Sequence, residues 1–242
     1  LTATDGNGNT SSFTYDNYNN LVSGTDASGN TTTYTYDEND NTTSITDALG
    51  NSSSFKYNED GEQIKITNAL GHSASNKYDQ KGNLIASTDA KGNTTSYTYN
   101  AQNLLASTTN VLGNISSLTY DGNGNVLSVS DFNGNTSTNI YDALNQLTSS
   151  TDPLGNTNLF TYDANGNQTA ITDALGNTTT LTYNALGRLT QLTDAMGSVS
   201  TIAYDANGNK TAITDALGNT TSLTYDALNR TTQTTDALGA SR

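Results

Sequence analysis

Residues Tyr162–Thr182 have the sequence YDANGNQTAITDALGNTTTLT, and the fold can be predicted from the turn motifs that this segment contains. The form D-x-x-G-N occurs in it twice, at Asp163–Asn167 and at Asp173–Asn177, so the unit consists of two half-units. An aspartate at the first position of a turn accepts hydrogen bonds from backbone N–H groups further along. Gly166 and Gly176 then supply the left-handed conformation that side chains resist. Each motif therefore predicts a type I turn with a G1 bulge, which is a common hairpin connection.

This unit repeats along the whole chain with a period of 21 residues and without insertion or deletion. One marker is a tyrosine followed by Asp or Asn, found at Tyr15, Tyr36, Tyr57, Tyr78, Tyr99, Tyr120, Tyr141, Tyr162, Tyr183, Tyr204 and Tyr225. The second marker is a turn glycine, found at Gly8, Gly29, Gly50, Gly71, Gly92, Gly113, Gly134, Gly155, Gly176, Gly197, Gly218 and Gly239. A fixed period of this length is the signature of a repeat architecture. We therefore expect residues 1–242 to form a single repeat array that begins and ends within a repeat.

The segments between the turns have the composition of β-strands. In Thr178–Tyr183 the apolar residues Leu181 and Tyr183 alternate with threonine and share one face, while Gln168–Thr172 carries Ile171 as its apolar residue. Threonine favours strands, and no window has helical periodicity. The sequence predicts an all-β protein with two antiparallel strands per repeat, about 22 strands in a continuous ribbon that sheet twist causes to curl.

In this fold two sets of residues are candidate structural sites. The turn set pairs an aspartate with a left-handed glycine and contains Asp163, Gly166, Asp173, Gly176, Asp205, Gly208, Asp215 and Gly218. The tyrosine set, which we expect to form a column along the sheet, contains Tyr162, Tyr183, Tyr204 and Tyr225.

Composition and charge exclude several classes of function. The chain has no cysteine, so disulfide frameworks and thiolate metal sites are impossible. The formal net charge of −14 argues against nucleic acid as a partner, which would require a basic face. No apolar run approaches the length of a membrane-spanning helix, so we expect no membrane insertion.

The acidic residues occupy turn positions rather than a charged patch. Asp starts eight of the eleven turns after the repeat tyrosine and ten of the twelve turns of the other kind, which together account for 18 of the 23 acidic residues. Asn occupies the remaining starts, which favours turn capping over charge as the reason for these residues. The other acids, Glu38, Asp40, Glu59, Asp60 and Glu62, are expected on a solvated surface.

Calcium binding is the alternative explanation of the aspartates. In an antiparallel ribbon, equivalent turns are two strands apart, roughly 9.5 Å, too far for direct sharing of an ion whose ligands lie at roughly 2.3–2.6 Å. In a parallel solenoid they would approach to roughly 4.8 Å. We predict the antiparallel ribbon and therefore neither a metal nor any other cofactor.

The unit Tyr204–Thr224, YDANGNKTAITDALGNTTSLT, resembles the YD repeat, also called the RHS repeat. That family includes Rhs polymorphic toxins, wall-associated bacterial proteins, components of insecticidal toxin complexes and teneurins. The resemblance covers the whole chain and implies an antiparallel ribbon wound into a hollow spiral shell outside the cell or at its surface. Toxin-bearing members end the shell with a self-cleavage segment that resembles D-P-x-G-L. Asp152–Asn156, DPLGN, ends differently and lies in phase with the other turns, so we interpret it as a turn.

No residue set suggests catalysis, and we expect no enzyme activity. His72 is the single histidine and occupies a turn position that is Asn51 in the preceding repeat. Asparagine glycosylation sequons follow several turn glycines, and we interpret them as a by-product of turn chemistry; examples are Asn30, Asn51, Asn93, Asn177 and Asn219.

The sequence favours a structural scaffold that forms the wall of an extracellular tube or filament, with further copies or repeats of itself as end-to-end partners. One alternative is a shell segment of a toxin-encapsulating cocoon. A second alternative is a cell-surface adhesion module with glycans as partners.

Overall fold

The structure is a computed structural model that describes all residues from Leu1 to Arg242, and it contains 23 β-strands and no helix. The first strand is β1 (Thr2–Thr4). The even-numbered strands are six residues long and end in the repeat tyrosine: β2 (Thr10–Tyr15), β4 (Thr31–Tyr36), β6 (Ser52–Tyr57), β8 (Ser73–Tyr78), β10 (Thr94–Tyr99), β12 (Ile115–Tyr120), β14 (Thr136–Tyr141), β16 (Thr157–Tyr162), β18 (Thr178–Tyr183), β20 (Val199–Tyr204) and β22 (Thr220–Tyr225). The later odd-numbered strands have five residues: β3 (Leu21–Thr25), β5 (Thr42–Thr46), β7 (Gln63–Thr67), β9 (Leu84–Thr88), β11 (Leu105–Thr109), β13 (Val126–Ser130), β15 (Leu147–Thr151), β17 (Gln168–Thr172), β19 (Leu189–Thr193), β21 (Lys210–Thr214) and β23 (Thr231–Thr235). The all-β prediction is confirmed.

The chain divides into two compact units. Unit 1 contains residues 1–118 and 131–134, and unit 2 contains residues 119–130 and 135–242. In unit 1 each strand pairs antiparallel with the next one along the chain, from β1 to β12. In unit 2 the same holds from β13 to β23. The predicted antiparallel order of strands is therefore confirmed within each unit.

Two kinds of turn alternate along the chain, and successive antiparallel strands place them on opposite edges of the ribbon. Tyrosine-side turns start directly after the repeat tyrosine, as at Asp163, and leucine-side turns start ten residues later, as at Asp173. Across the leucine-side turn the ladder is regular, with Thr172 opposite Thr178. The tyrosine-side hairpin between β16 and β17 contains a break in register.

A β-bulge causes that break, and it recurs next to the tyrosine-side turns. Thr161 pairs with Ala170, but the next pair is Tyr162 with Gln168, so Thr169 is an extra residue on the second strand. Ordinary strands point side chains i and i+2 to one face. Because the bulge inserts one residue, Gln168 and Ile171 share a face although they are three residues apart.

The bulge gives the ribbon two chemically different faces. The tyrosine face carries Tyr162 and the paired residues Phe160 and Ile171. The opposite, hydroxyl face carries cross-strand pairs of threonine or serine, such as Thr172 Oγ1 and Thr178 Oγ1 at 2.8 Å. Such cross-strand pairs each contribute roughly 0.2–1 kcal/mol. They explain the abundance of threonine and serine in the chain.

The units have no buried core, because no side chain of the chain is fully buried. Side chains on the tyrosine face, such as Leu181 and Tyr183, are half-buried against neighbouring strands. Each strand therefore depends on its two neighbours, as in other repeat proteins whose stability is a sum of local terms.

Deleting residues 162–182, one whole period, should leave the alternation of edges and faces intact. We expect an unchanged far-ultraviolet circular dichroism spectrum per residue and only a small change in the thermal unfolding midpoint. Deleting residues 163–172, a half-period, should lower that midpoint much more, because every downstream tyrosine-side turn moves to the other edge. Equal midpoints for the two deletions would contradict the two-edge architecture.

Candidate functional site

The leucine-side turn at Asp173 shows how each reversal of the chain is built. Asp173 N donates to Asn177 O at 2.9 Å, and Gly176 N donates to Asp173 O at 2.9 Å. The carboxylate accepts from the backbone N–H of Leu175 at 2.9 Å and of Asn177 at 2.8 Å, both on Oδ1. Asn177 Nδ2 donates to the second oxygen, Oδ2, at 2.8 Å. One carboxylate thus binds three donors of its own turn.

The other predicted turn residues have the same arrangement. Asp163, Asp205 and Asp215 each accept from the amide of the asparagine four residues on, at 2.8–2.9 Å. The turn glycines Gly166, Gly176, Gly208 and Gly218 all have positive φ, between 85° and 97°.

Asparagine performs the same backbone capping where it replaces aspartate. Asn184 Oδ1 accepts from the N–H of Leu186 at 3.0 Å and of Arg188 at 3.1 Å. At Asn58 the side-chain polarity is exchanged, because Asn58 Nδ2 donates to Glu62 Oε2 at 2.7 Å. The backbone cap therefore requires an acceptor oxygen at the first turn position and not a negative charge there.

The hydrogen bonds of the turn favour the ionised carboxylate. The side-chain amide and then the backbone N–H of Asn177 lower the pKa of Asp173. The pKa is lowered in the same direction at fifteen turn aspartates: Asp5, Asp16, Asp26, Asp37, Asp47, Asp79, Asp89, Asp121, Asp152, Asp163, Asp173, Asp194, Asp205, Asp215 and Asp226.

In most repeats the tyrosine hydroxyl ties its strand to the preceding strand. The hydroxyl of Tyr183 donates to Gln168 O at 2.9 Å, and the ladder between β17 and β18 ends before that carbonyl. The tyrosine therefore satisfies an acceptor that the bulge removes from the ladder. Tyr162, Tyr204 and Tyr225 donate in the same way to Leu147, Leu189 and Lys210.

Neighbouring tyrosine-side turns contact one another within each unit. In unit 1, Asn83 Nδ2 donates to Asn103 Oδ1 at 2.6 Å across two strands, and in unit 2, Asn125 contacts Asn145 in the same way at 2.8 Å. Where the later turn has glycine, the earlier side chain fills the space beside it, since a Cβ on Gly166 would lie 3.0 Å from Gln146 Nε2.

The leucine-side turn at Asp173 makes no such contact, and the leucine-side turns expose a series of apolar side chains, which we call the leucine row. A Cβ on Gly176 would have no atom within 4 Å. The third residue of these turns is exposed by 79–95% where it is large and apolar: Leu49, Leu70, Leu112, Leu154, Leu175, Met196, Leu217 and Leu238. The two edges of the ribbon therefore differ in packing and in chemistry.

The remaining sequence candidates lie in turns. His72 closes a turn through its backbone, with its N–H donating to Asn68 Oδ1 at 3.0 Å. Asp152–Asn156 has the ordinary turn geometry, with Gly155 N donating to Asp152 O at 3.0 Å.

No cluster of three or more histidine, aspartate or glutamate side chains is arranged to hold a metal ion. The strands are antiparallel, which removes the coil-on-coil stacking that the calcium alternative requires. The structure also has no helix that could cross a membrane.

The sequon asparagines are engaged in their turns. Each donates its Nδ2 to the second carboxylate oxygen of the aspartate that starts the turn; these are Asn30, Asn51, Asn93, Asn177 and Asn219. The amide that a sugar would modify thus already has a structural role.

Comparison with protein families places these geometries in a known group. The RHS Repeat family matches residues 18–52, 36–73, 78–115, 99–136, 120–157, 141–174, 162–199 and 204–241. The chain belongs to the RHS repeat family. No curated protein sequence matches it.

Solved structures share the fold of this RHS repeat chain. The crystal structure of TcdB2-TccC3 without its hypervariable C-terminal region has 17% identity and a TM-score of 0.63, and the match covers 94% of this chain and 14% of that one. The crystal structure of TcdB2-TccC3-TEV has 17% identity and a TM-score of 0.62, over 96% of this chain and 15% of that one. The RHS repeat chain therefore spans about a seventh of the length of these structures, and the likeness shows the fold.

Sequence reasoning missed two features of the RHS repeat. The first is that Gln168 lies on the tyrosine face, where the neighbouring repeats have Leu147 and Leu189. The recurrence of leucine at this position is visible in the sequence. Asp40 is exposed, as expected, but sequence reasoning missed that it occupies the left-handed turn position with φ 62°. Its alignment with Gly208 and Asn103, 21-residue multiples away, was the available signal.

Replacing Tyr183 by Phe removes the hydroxyl that satisfies Gln168 O, and we expect a loss of about 0.5–1.5 kcal/mol in the free energy of unfolding. Tyr97→Phe is the matched control, because Phe55 and Phe160 occupy the equivalent position in other repeats. Chemical denaturation measures both. Equal losses at Tyr183 and Tyr97 would refute a specific role for the hydroxyl.

Acid should destabilise the protein through the turn aspartates. The pKa values of the fifteen aspartates named above are lower in the folded state than the ordinary value of 3.8, so the unfolded chain binds more protons as the pH falls. The stabilisation is complete above that value and is lost as the pH drops through the folded-state pKa values. We expect the thermal midpoint to fall steeply below about pH 4.

The exchanged variant Asp173→Asn/Asn177→Asp is the control for this titration, since it copies the reversed polarity of Asn58 and Glu62. It should keep the midpoint of the original chain at pH 7, whereas Asp173→Ala should lower it. A midpoint that does not change between pH 7 and pH 3 would contradict the capping role of the carboxylates.

Proposed function

We propose that this chain is a non-enzymatic structural scaffold that forms part of the wall of an extracellular β-spiral tube or filament. Its partners in this function are further copies or further repeats of the same kind, joined end to end. The observation that carries the proposal is the absence of a fully buried core combined with pairing, within each unit, of each strand to its sequence neighbours. Such a ribbon has local stability and can be extended without changing its design.

The leucine row supports a role in a wall. Three of these large apolar side chains project from the leucine-side edge of unit 1 and five from that of unit 2, each exposed by at least 79%. Exposed apolar side chains in a contiguous series mark surfaces that other protein covers. A wall built from successive ribbon segments would cover this edge, whereas the tyrosine-side edge already packs its turns on one another.

The repetition of the site argues against catalysis. A catalytic pair of carboxylates requires two different environments that move their pKa values apart. Fifteen turn aspartates share one kind of environment, and hydrogen bonds within the turn lower their pKa values, as at Asp163, Asp173 and Asp205. The chemistry of the turns is therefore that of a backbone cap.

A shell segment of a toxin-encapsulating cocoon is the second candidate. The fold likeness to TcdB2-TccC3 favours it, together with the RHS repeat family match. In such a shell this chain would form part of the wall and would contribute no reactive group.

Negative-stain electron microscopy of the full natural protein tests both candidates. Long uniform threads support the tube or filament, and discrete hollow particles support the cocoon. Isolated compact monomers at all concentrations would exclude both.

Variants of the leucine row sharpen this experiment. Leu154→Asn, Leu175→Asn and Leu217→Asn together should shorten or abolish the assemblies without changing circular dichroism, because Asn133 occupies the same turn position in another repeat. Leu144→Asn and Leu186→Asn, on the tyrosine side, form the control. Unchanged assemblies in the leucine-row variant would show that this edge is not the contact.

A further inference from the structure

One concave surface in unit 1 combines aromatic rings with carboxylates. It has a volume of about 810 Å³, and its lining includes Tyr18, Tyr34, Tyr36, Asp37 and Asp40. Tyr18 is exposed by 81% and stands at a turn position where other repeats hold residues such as Asn165 or Lys81. This concavity, which we name the Tyr18 cavity, is a local departure from the repeat.

The same protein shows what the equivalent place in another repeat contains. In unit 2, the guanidinium carbon of Arg188 lies 4.8 Å from the centroid of the Tyr204 ring. Arg188 Nη1 also lies beside Gly208, 3.0 Å from where a Cβ would be. Arg188 Nε is buried without a hydrogen-bond partner, which leaves the ring face as its electrostatic contact.

Eight repeats earlier, two of these three positions carry different residues. Asn20 replaces the arginine, Tyr36 replaces Tyr204, and Asp40 replaces Gly208. The cation is thus missing, while the ring is retained and a carboxylate is added. Asp40 takes a left-handed backbone, φ 62°, to be there, a conformation that side chains generally resist.

The charge around the Tyr18 cavity is uncompensated. Residues 1–55 contain seven acidic side chains and no lysine or arginine. Two of the carboxylates at the cavity, Asp16 and Asp37, have lowered pKa values and so remain ionised at neutral pH. Asn20 Nδ2 donates to Asp40 Oδ1 at 2.6 Å, which orients that carboxylate toward the place of the missing side chain.

We propose that the Tyr18 cavity binds a guanidinium group from another molecule, in the place that Arg188 fills in its own repeat. The planar cation stacks on the Tyr36 ring and pairs with the Asp40 carboxylate, and Tyr18 covers it from the turn. Guanidinium suits this site because it stacks on aromatic faces and forms paired hydrogen bonds with carboxylates. The group is carried either by an arginine side chain of a peptide or by a small free guanidinium compound.

The test is a nuclear magnetic resonance titration of the full chain with N-acetylarginine methylamide and, separately, with methylguanidinium. We expect saturable shifts of the Tyr18 and Tyr36 ring signals with at least one probe, weakened by added salt. The probe that binds more tightly identifies the source as peptide arginine or as a small compound. N-acetylcitrulline methylamide, which is uncharged and similar in shape, should give no saturable shift.

Two matched variants locate the site. Asp40→Asn should weaken binding by about tenfold, and the fold should be retained because Asn103, Asn145 and Asn229 occupy the same left-handed position. Asp47→Asn removes one carboxylate from a leucine-side turn and should change the affinity by less than about twofold. Asn20→Arg should abolish binding, because an internal guanidinium then occupies the cavity.

Three results would overturn the proposal. They are binding of the citrulline probe as tight as that of the arginine probe, equal effects of Asp40→Asn and Asp47→Asn, and no saturable shift with either cation. Retention of binding in Asn20→Arg would likewise place the ligand elsewhere.

Discussion

Every reversal of the chain depends on one carboxylate or amide oxygen that accepts the backbone N–H groups two and four residues ahead. In the turn at Asp173, Oδ1 accepts both of these N–H groups, and Gly176 closes the loop in the left-handed conformation. Because no side chain is fully buried, no core exists to correct a misplaced turn. The turns therefore determine where each strand begins and ends, a role that the hydrophobic core shares in most domains.

The bulge beside each tyrosine-side turn makes the two edges of the ribbon different. It keeps Gln168 and Ile171 on one face, and it releases the Gln168 carbonyl from the ladder. The Tyr183 hydroxyl donates a hydrogen bond to that carbonyl, so the bulge and the tyrosine act together. The tyrosine-side edge packs turn against turn, while the leucine-side edge leaves its turns apart. A repeat with two equal edges would not confine contacts between turns, such as that of Asn83 with Asn103, to one edge.

The period and the strand bounds could be predicted from sequence because each is encoded within a few residues. The segments Gln168–Thr172 and Thr178–Tyr183, chosen from composition, are the strands observed. The second apolar position of the tyrosine face could not be assigned, since strict alternation of faces conflicts with a three-residue spacing unless a bulge is assumed. Contacts between turns could not be predicted either, because they join residues that are 20 apart in the sequence and whose side chains differ from repeat to repeat.

Strict repetition also makes the departures from it informative. Arg188 occupies a position that is asparagine in many other turns, and its guanidinium lies over the Tyr204 ring. Its turn starts with Asn184, so no carboxylate stands at the start of that turn. Arg230 occupies the same position after Asp226 and instead pairs with that aspartate at 2.7 Å. The two arginines thus have different partners, and only Arg230 has a carboxylate at the start of its own turn. In an array where one environment recurs so often, a residue that leaves the pattern, such as Asp40 or Tyr18, changes the local chemistry without changing the fold.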